Sequence, residues 1–517
     1  MTAPLRFRLS KLLSFSFPGR NVLIFLGIFL IFFAGLALIQ FSTPDLPDND
    51  GFYHIKLAAI MRTDGLRPAF PWLPLTILNA REYYDHHFLF HVALIPFTFG
   101  DLRLGAKWAA VTFASLAFFT VWWLLRSQQL PYAFLWSLGL LAVSEAFLYR
   151  MSITRAQSLS LAVLVLGLHW CLTKKYLLLI PLAFLYVWMY DAFPLLIVVV
   201  ILYASAVGML ERRLELGPVF YVGVGILLGL VINPYFPHDI VFIYRHLLPK
   251  LSETTAVSVG SEWFPYSTSQ LLNNSLLGLV AFASGVVALG LQEKRMDTRT
   301  AAGLFLALFF GLLLFKARRF VEYFPAFALI FAAFAWTPLI EAFRSQEKTA
   351  DRVPPFDGLL EGPRRSWLVV GILGLFLLPG TWNTVRAAQA SMRTSRPYQR
   401  YAGASAWLDA NTPAGSHVFQ TDWDDFPRLF FYNTHNIYLV GLDPTYMQLY
   451  SADLYDRWVA ITDGKVSQPS TEIKGWFASS YVFTDLSHKA FIARADEDRG
   501  LEKVYEDGEA VIYQIKP

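Results

Sequence analysis

One cysteine, Cys171, serves the whole 517-residue chain, so no intrachain disulfide is available and cysteine usage leaves the redox compartment open. Charge is scarce as well: Asp, Glu, Lys and Arg make up 16% of the residues, against the roughly 25% usual in a soluble domain. No repeat or low-complexity tract stands out. The net charge of +4 gives no footing for nucleic acid, because the Lys and Arg cluster at the ends of apolar segments, where membrane topology accounts for them. The basic N-terminus (Arg6, Arg8, Lys11, Arg20) precedes an apolar stretch too long for a signal peptide and without an evident small-residue cleavage site, which reads as a retained first span.

What the chain has in quantity is apolar sequence. Hydrophobic residues make up 55%, and runs of about 20 residues, enough to cross a ~30 Å hydrocarbon core, recur from Asn21 to Trp382. They predict about eleven spans, at 21-41, 106-125, 131-149, 156-173, 176-190, 192-209, 217-233, 271-291, 300-316, 320-342 and 366-382. With the N-terminus inside, the inner turns hold Arg126, Lys174-Lys175, Glu211-Arg212-Arg213, Glu293-Lys294-Arg295 and the Arg344 to Arg365 loop, as the positive-inside rule requires. The short apolar stretch from His86 to Gly100, interrupted by Pro96, would invert every later loop if it crossed. It is predicted as a re-entrant or interfacial segment of the first outer loop, 42-105. A second long outer loop falls at 234-270.

The tail, 384-517, lacks such runs and intersperses its charges. Helices over Tyr401–Asn411 and Ala452–Thr462 alternate with strands at Val418–Thr421, Ile437–Val440 and Tyr481–Thr484, which predicts a small soluble α/β domain on the outer face. The expected plan is a mostly α polytopic membrane domain, 1-383, followed by that domain. A bacterial inner membrane with the tail in the periplasm is the expected setting.

The outer face gathers the residues that can carry chemistry. Asp48-Asn49-Asp50-Gly51 lies just past the first span. It reads either as a turn capping the next helix or as carboxylates that orient an acceptor nucleophile or hold a divalent cation against a phosphate. Asp85 and His87 in the same loop can join Asp50 around a metal ion, or merely anchor an interfacial segment. Lys316, Arg318 and Arg319, with Arg150 and Arg155, put positive charge at outer span ends against the topological trend. They either snorkel to headgroups or bind phosphate oxygens, and beside the acidic loop the second reading gains weight. Glu262-Trp263 in the long outer loop has the look of an interfacial anchor.

Taken in order, these residues resemble the GT-C superfamily of membrane glycosyltransferases, and within it the catalytic subunits of oligosaccharyltransferases. Asn49-Asp50-Gly51-Phe52-Tyr53-His54 is similar to that family's N-D-x-Y-Y-H element, and Arg319-Phe320 with Tyr323 and Pro325 to its R-F-x-x-Y-x-x-P stretch. Ser258-Val259, Glu262 and Pro265 are similar to S-V-S-E-x-x-P with one extra residue. Trp407 to Pro413, then Trp423-Asp424, fall where the family has W-L-x-x-N-T-P and W-W-D-Y-G. The resemblance implies a glycosyltransferase with a polyprenyl-phosphate or diphosphate sugar donor. It implies Asp50 as the catalytic carboxylate and Arg319 on the donor phosphate, joined by Arg318, Lys316, Arg150, Arg155, Tyr53 and His54. Glu262, Trp263, Trp423 and Asp424 fall on the acceptor side, the acceptor being a protein, lipid or glycan.

Two departures bear on mechanism. Where the family has a second acidic motif, this chain has Thr154-Arg155-Ala156-Gln157. Either Asp85 and His87 substitute as ligands for a Mg or Mn ion, or the enzyme works without metal while Arg155 neutralises the departing phosphate, which is the favoured reading. The second departure is Asp422-Trp423-Asp424-Asp425-Phe426, which keeps only Trp-Asp of the sequon-reading motif. The rival functions are a lipid-linked-sugar flippase, which typically shows internal repeats and broken helices at mid-membrane, and a silent GT-C-like scaffold.

Overall fold

The computed structural model describes residues 19–247, 260–293, 295–350 and 362–516. It is a mostly α membrane protein with a small C-terminal sheet. Helix α1 (Gly19–Gln40) is followed by α2 (Asp50–Asp64) and α3 (Phe88–Leu94) in the loop that leads to the next span. Helix α4 (Leu102–Ser127) then crosses, capped by Asp101, whose carboxylate accepts from the Leu104 amide. Among the described residues six helices meet the length and apolarity of a span, namely α1, α4, α9 (Pro194–Glu211), α12 (Thr268–Gly290), α13 (Thr298–Lys316) and the Phe324–Phe343 part of α14 (Phe324–Ala350). The other expected crossings fall on shorter apolar helices, α7 (Gln157–Leu172), α8 (Leu179–Met189) and α10 (Gly217–Val231), on α15 (Gly362–Arg393), and on a bent pair. The segment at Phe88–Phe97 is too short to cross and packs beside α2 in the loop between α1 and α4.

The bent pair corrects one expectation. The predicted continuous span over 131-149 is α5 (Ala133–Leu138), a 3-10 turn at Gly139–Leu141, and α6 (Glu145–Met151), turned by 88°. Ser144 makes the corner. Its hydroxyl caps α6 by accepting from the Phe147 amide and also donates to the Asn274 carbonyl, while Val143 accepts from the Gly278 amide. The α5 end and α6 start are thereby tied to α12 and not to each other, as buried polar backbone requires when a helix is interrupted. The consequence for the site is direct: α6 carries Arg150 in its last turn, and Arg155 follows before α7 begins.

Close packing of α8 against α10 depends on Gly225 and Gly229, which approach Ile180, Ala183, Phe184 and Val187 so closely that a β-carbon would meet backbone.

The C-terminal sheet has five strands, β1 (His417–Gln420), β2 (Ile437–Tyr438), β3 (Tyr481–Asp485), β4 (Leu501–Glu506) and β5 (Ala510–Ile515), in the order β2-β1-β3-β5-β4. β1 is parallel to β2 and β3, whereas β5 is antiparallel to β3 and β4. One sheet face packs on its own helices and on another part of the chain as well. Val418, Tyr438, Phe483 and Ile512 share one apolar cluster with Leu408, Phe426 and Phe430 and with Tyr53, Phe70, Leu73 and Tyr83 of the segment between α1 and α4. Backbone pairs reinforce that joint: the Tyr438 amide donates to Trp72 (3.0 Å) and the Ile77 amide to Tyr446 (3.1 Å). The loop and the sheet therefore form one packed unit above the helices, with the Asp48–Asp50 segment at its base.

Candidate functional site

Three adjoining cavities open where α2, the α6–α7 turn, the segment at Gly260–Tyr266, the end of α13 and the C-terminal domain meet. The largest, about 520 Å³, is lined by Asp48, Asp50, Arg150, Arg155, Glu262 and Asp424, with Trp263 and Trp423 also on its wall. A second of about 130 Å³ shares Asp50, Arg155 and Glu262 with it and adds Tyr53, His54, His87, Tyr190 and Arg319. The third, about 370 Å³, lies between α6, α12 and α15 and reaches Arg318 and Arg319. Lys316 is exposed on the end of α13 and lines none of the three. Ser258 and Val259 lie outside the described residues.

Glu262 is the common wall, and three guanidinium groups converge on it. Arg150 reaches its carboxylate at 2.9 Å, Arg155 at 3.5 Å and Arg319 at 3.6 Å. Burial works to raise the Glu262 pKa, but Arg150, Arg319 and Arg155 together outweigh it and hold the group well below the usual carboxylate range. Each arginine is braced from behind. Arg150 donates to Glu322, a buried carboxylate, through Nε (2.7 Å) and Nη2. Arg319 lies over the Trp263 ring at 4.2 Å and donates to the Tyr190 hydroxyl at 3.1 Å.

Arg155 forks onto Asp48, both bonds at 2.7 Å, and reaches Asp50 at 3.0 Å. Burial raises the Asp50 pKa to about 7, against the lowering effect of Arg155 and with Asp48, Asp424 and Glu262 adding to the rise. Asp424 is raised to about 6 by burial and then by Asp422 and Asp48. Between the two carboxylates sits Asn49, whose amide donates to Asp424 (2.8 Å) while its oxygen accepts from Arg428 (2.8 Å) of the helix Phe426–Tyr432. Asn49 thus fastens the C-terminal domain to the acidic turn.

The metal set drawn from the sequence does not assemble. Asp85 spends one oxygen on the His87 amide (3.0 Å) and the other on the His91 ring (2.7 Å), in a buried position. His87 and Asp50 do share the second cavity. Among the described residues no three His, Cys, Asp or Glu gather in a way that could hold a metal ion. The Arg155 guanidinium is the charged partner of both Asp48 and Asp50.

Several contributors went unassigned in the sequence. Asp48 is the bidentate partner of Arg155, Glu322 anchors Arg150, and Tyr190 holds Arg319. The signal for Glu322 was present, since an acid three residues beyond Arg319 at a span end needs a partner. His91 did carry a local signal, its place one helical turn beyond His87.

The same fold, bent and straight apolar helices under a loop-bound sheet domain, is found in solved structures of an oligosaccharyltransferase and of ArnT. The oligosaccharyltransferase of Archaeoglobus fulgidus in its apo form superposes with a TM-score of 0.64 at 14% identity, over 92% of this chain and 71% of that one. The same organism's AglB in complex with an inhibitory peptide and a dolichol-phosphate gives 0.61 at 14% identity, over 95% and 74%. ArnT from Cupriavidus metallidurans bound to undecaprenyl phosphate gives 0.55 at 15% identity, over 95% and 97%. At such identities the likeness is one of fold. No family model and no curated protein matches the sequence.

Proposed function

We propose that this protein is a glycosyltransferase that moves a sugar from a polyprenyl-phosphate or polyprenyl-diphosphate donor to a protein, lipid or glycan acceptor on the outer, periplasmic face of a bacterial inner membrane. The observation that carries the reading is the convergence of Arg150, Arg155 and Arg319 on one carboxylate beside Asp50, at the mouth of cavities bounded by membrane helices. Three cations so placed suit a phosphate, and a lipid-linked one reaches them from the bilayer. Bound dolichol-phosphate and undecaprenyl phosphate in two proteins of this fold support the lipid.

In this mechanism the prenyl chain lies against the spans and the phosphate replaces Glu262 on the arginines. Asp50 accepts a hydrogen bond from the acceptor nucleophile and aims its lone pair at the anomeric carbon. The new bond forms there as the bond from carbon to phosphate oxygen breaks, and the electron pair leaves with the phosphate, where fixed guanidinium charge stabilises it. Because Arg155 occupies the place of a second acidic ligand, no step is assigned to a metal ion.

The reaction is tested by incubating the purified protein with a synthetic polyprenyl-phosphate sugar and membranes of the source cell as acceptor, with and without EDTA. Consumption of the donor, equal in both arms, is the expected outcome. Donor that crosses vesicle membranes intact would make the protein a flippase, and donor neither consumed nor moved would make it a scaffold. The acidity of Asp50 adds a pH signature. Its working form is the carboxylate and its pKa is raised to about 7, so kcat/KM should be full above that value and fall about tenfold per unit of pH below it. A flat profile between pH 5 and 8 would remove Asp50 from the role.

A further inference from the structure

The site described so far leaves the acceptor's proton without a destination, and Asp50 is already engaged by Arg155. One helical turn along the same face of α2 stands His54, and behind it runs a line of hydrogen bonds that leads away from the cavity. His54 Nδ1 meets His91 Nε2 at 2.7 Å, and His91 Nδ1 meets Asp85 Oδ2 at 2.7 Å. All three side chains are at least 96% buried, and His91 is fully enclosed. The three come from separate pieces of the first outer loop, α2, α3 and the turn before α3, so the line is a product of the tertiary fold.

The direction of this line follows from what each group can donate. A carboxylate only accepts, so the bond to Asp85 requires the proton of His91 on Nδ1. The neutral His91 ring then has its lone pair on Nε2, and that lone pair accepts the Nδ1 proton of His54. His54 is left with a bare Nε2, and the cavity it lines also holds Asp50, Arg155 and Arg319. Burial, followed by the neighbouring charges of His91, Arg155 and His86, pushes the His54 pKa well below that of free imidazole, so the ring rests in the neutral, accepting form. The backbone amide of His87, donating to the other oxygen of Asp85 at 3.0 Å, keeps that carboxylate from turning.

Resting on the transferase reading above, we propose that Asp85–His91–His54 is a proton relay in which His54 Nε2 is the catalytic base for sugar transfer, and Asp85 and His91 are positioning residues that fix its tautomer. As the acceptor lone pair bonds to the anomeric carbon, the acceptor proton passes to His54 Nε2. The imidazolium so formed keeps its Nδ1–H on His91 and returns the proton to the departing phosphate or to water once product leaves. Asp50 orients the nucleophile and His54 takes its proton. The two tasks fall on residues four apart on one helix face.

The test uses the full-length protein and a synthetic polyprenyl-phosphate sugar. His54→Ala keeps a good helix former and empties the ring's place. It should lower kcat about a hundredfold while leaving the dissociation constant of the donor within about twofold, and added imidazole should restore at least about tenfold of the lost rate. Asp85→Asn keeps size and hydrogen bonding but can donate to His91, which reverses both tautomers and puts a proton on His54 Nε2. It should lower kcat by a similar factor with donor binding and melting temperature kept, and imidazole should not rescue it. Wild-type kcat in His54→Ala overturns the relay, and so does a loss in that variant that imidazole leaves unmoved. An unreactive wild type in the same assay overturns the transferase reading instead, so the two failures are told apart.

Discussion

Asp50→Asn is expected to reduce sugar transfer by about a thousandfold without weakening the donor, as measured by single-turnover rates beside equilibrium binding of a synthetic polyprenyl phosphate. The amide keeps the shape of the turn, and Asn49, which fastens Asp424 and Arg428, is untouched. What changes is charge. Arg155 loses one of its three carboxylate partners, Asp50 at 3.0 Å, while the bidentate bonds to Asp48 at 2.7 Å and the contact to Glu262 at 3.5 Å persist. A guanidinium less neutralised attracts phosphate more strongly, so donor affinity should hold or rise as the rate falls. The acid limb of kcat/KM near pH 7 should vanish in the same variant, because the group that produces it is gone. Turnover at the wild-type rate would sink the assignment of Asp50, and a loss of binding equal to the loss of rate would make it a donor ligand.

How far such a site can be read from sequence varies residue by residue. The spans were legible because an apolar run of the right length has few other fates in lipid. The bend at Ser144 was not, since it falls inside an apolar run, and what makes it is a set of hydrogen bonds to α12, more than 120 residues away in the chain. The arginines at 150, 155 and 319 stood out by being on the wrong side for topology, and the structure brings them to one carboxylate. Lys316 stood out equally and lines none of the cavities, because it closes α13 and the chain turns through extended Ala317 before the separate helical turn that carries Arg318 and Arg319. Asp85 and His87 looked like ligands by spacing alone. The short loop between them lets Asp85 bond to the His87 amide and spends the carboxylate locally, an alternative open to any Asp two residues before a free amide. In the tail, the two predicted helices and the first three strands followed their propensities, whereas the helices at Phe426–Tyr432, Thr445–Tyr450, Pro469–Phe477 and Lys489–Glu497 were missed, as was the β4–β5 hairpin although Asp507-Gly508 marks its turn. The docking of the sheet on the loop rests on aromatic contacts more than 300 residues apart in sequence, and no local pattern announces those.

Arg319→Ala should lower kcat/KM for the donor by between about a hundred- and a thousandfold, the largest loss expected from any of the three arginines. The reason lies in how each is held. Arg150 has the buried carboxylate of Glu322 behind it and Arg155 has Asp48, so both carry most of their charge in internal pairs. Among the described residues Arg319 has no such carboxylate behind it and meets only a ring face, a tyrosine hydroxyl and the outlying edge of Glu262 at 3.6 Å. Its charge is therefore the one least neutralised when Glu262 swings away, and the Trp263 ring and Tyr190 fix its plane before the phosphate arrives. A lysine cannot reproduce that plane, so Arg319→Lys should recover less than about a tenth of the activity although the charge is kept. Because Glu262 retains Arg150 and Arg155 as partners, neither variant should lose folding, and melting temperature in detergent should shift by no more than a few degrees. Donor binding and kcat/KM measured over a range of salt separate the two contributions. A loss in Arg319→Ala that salt leaves unchanged, with donor affinity intact, would place the phosphate on Arg150 and Arg155 alone.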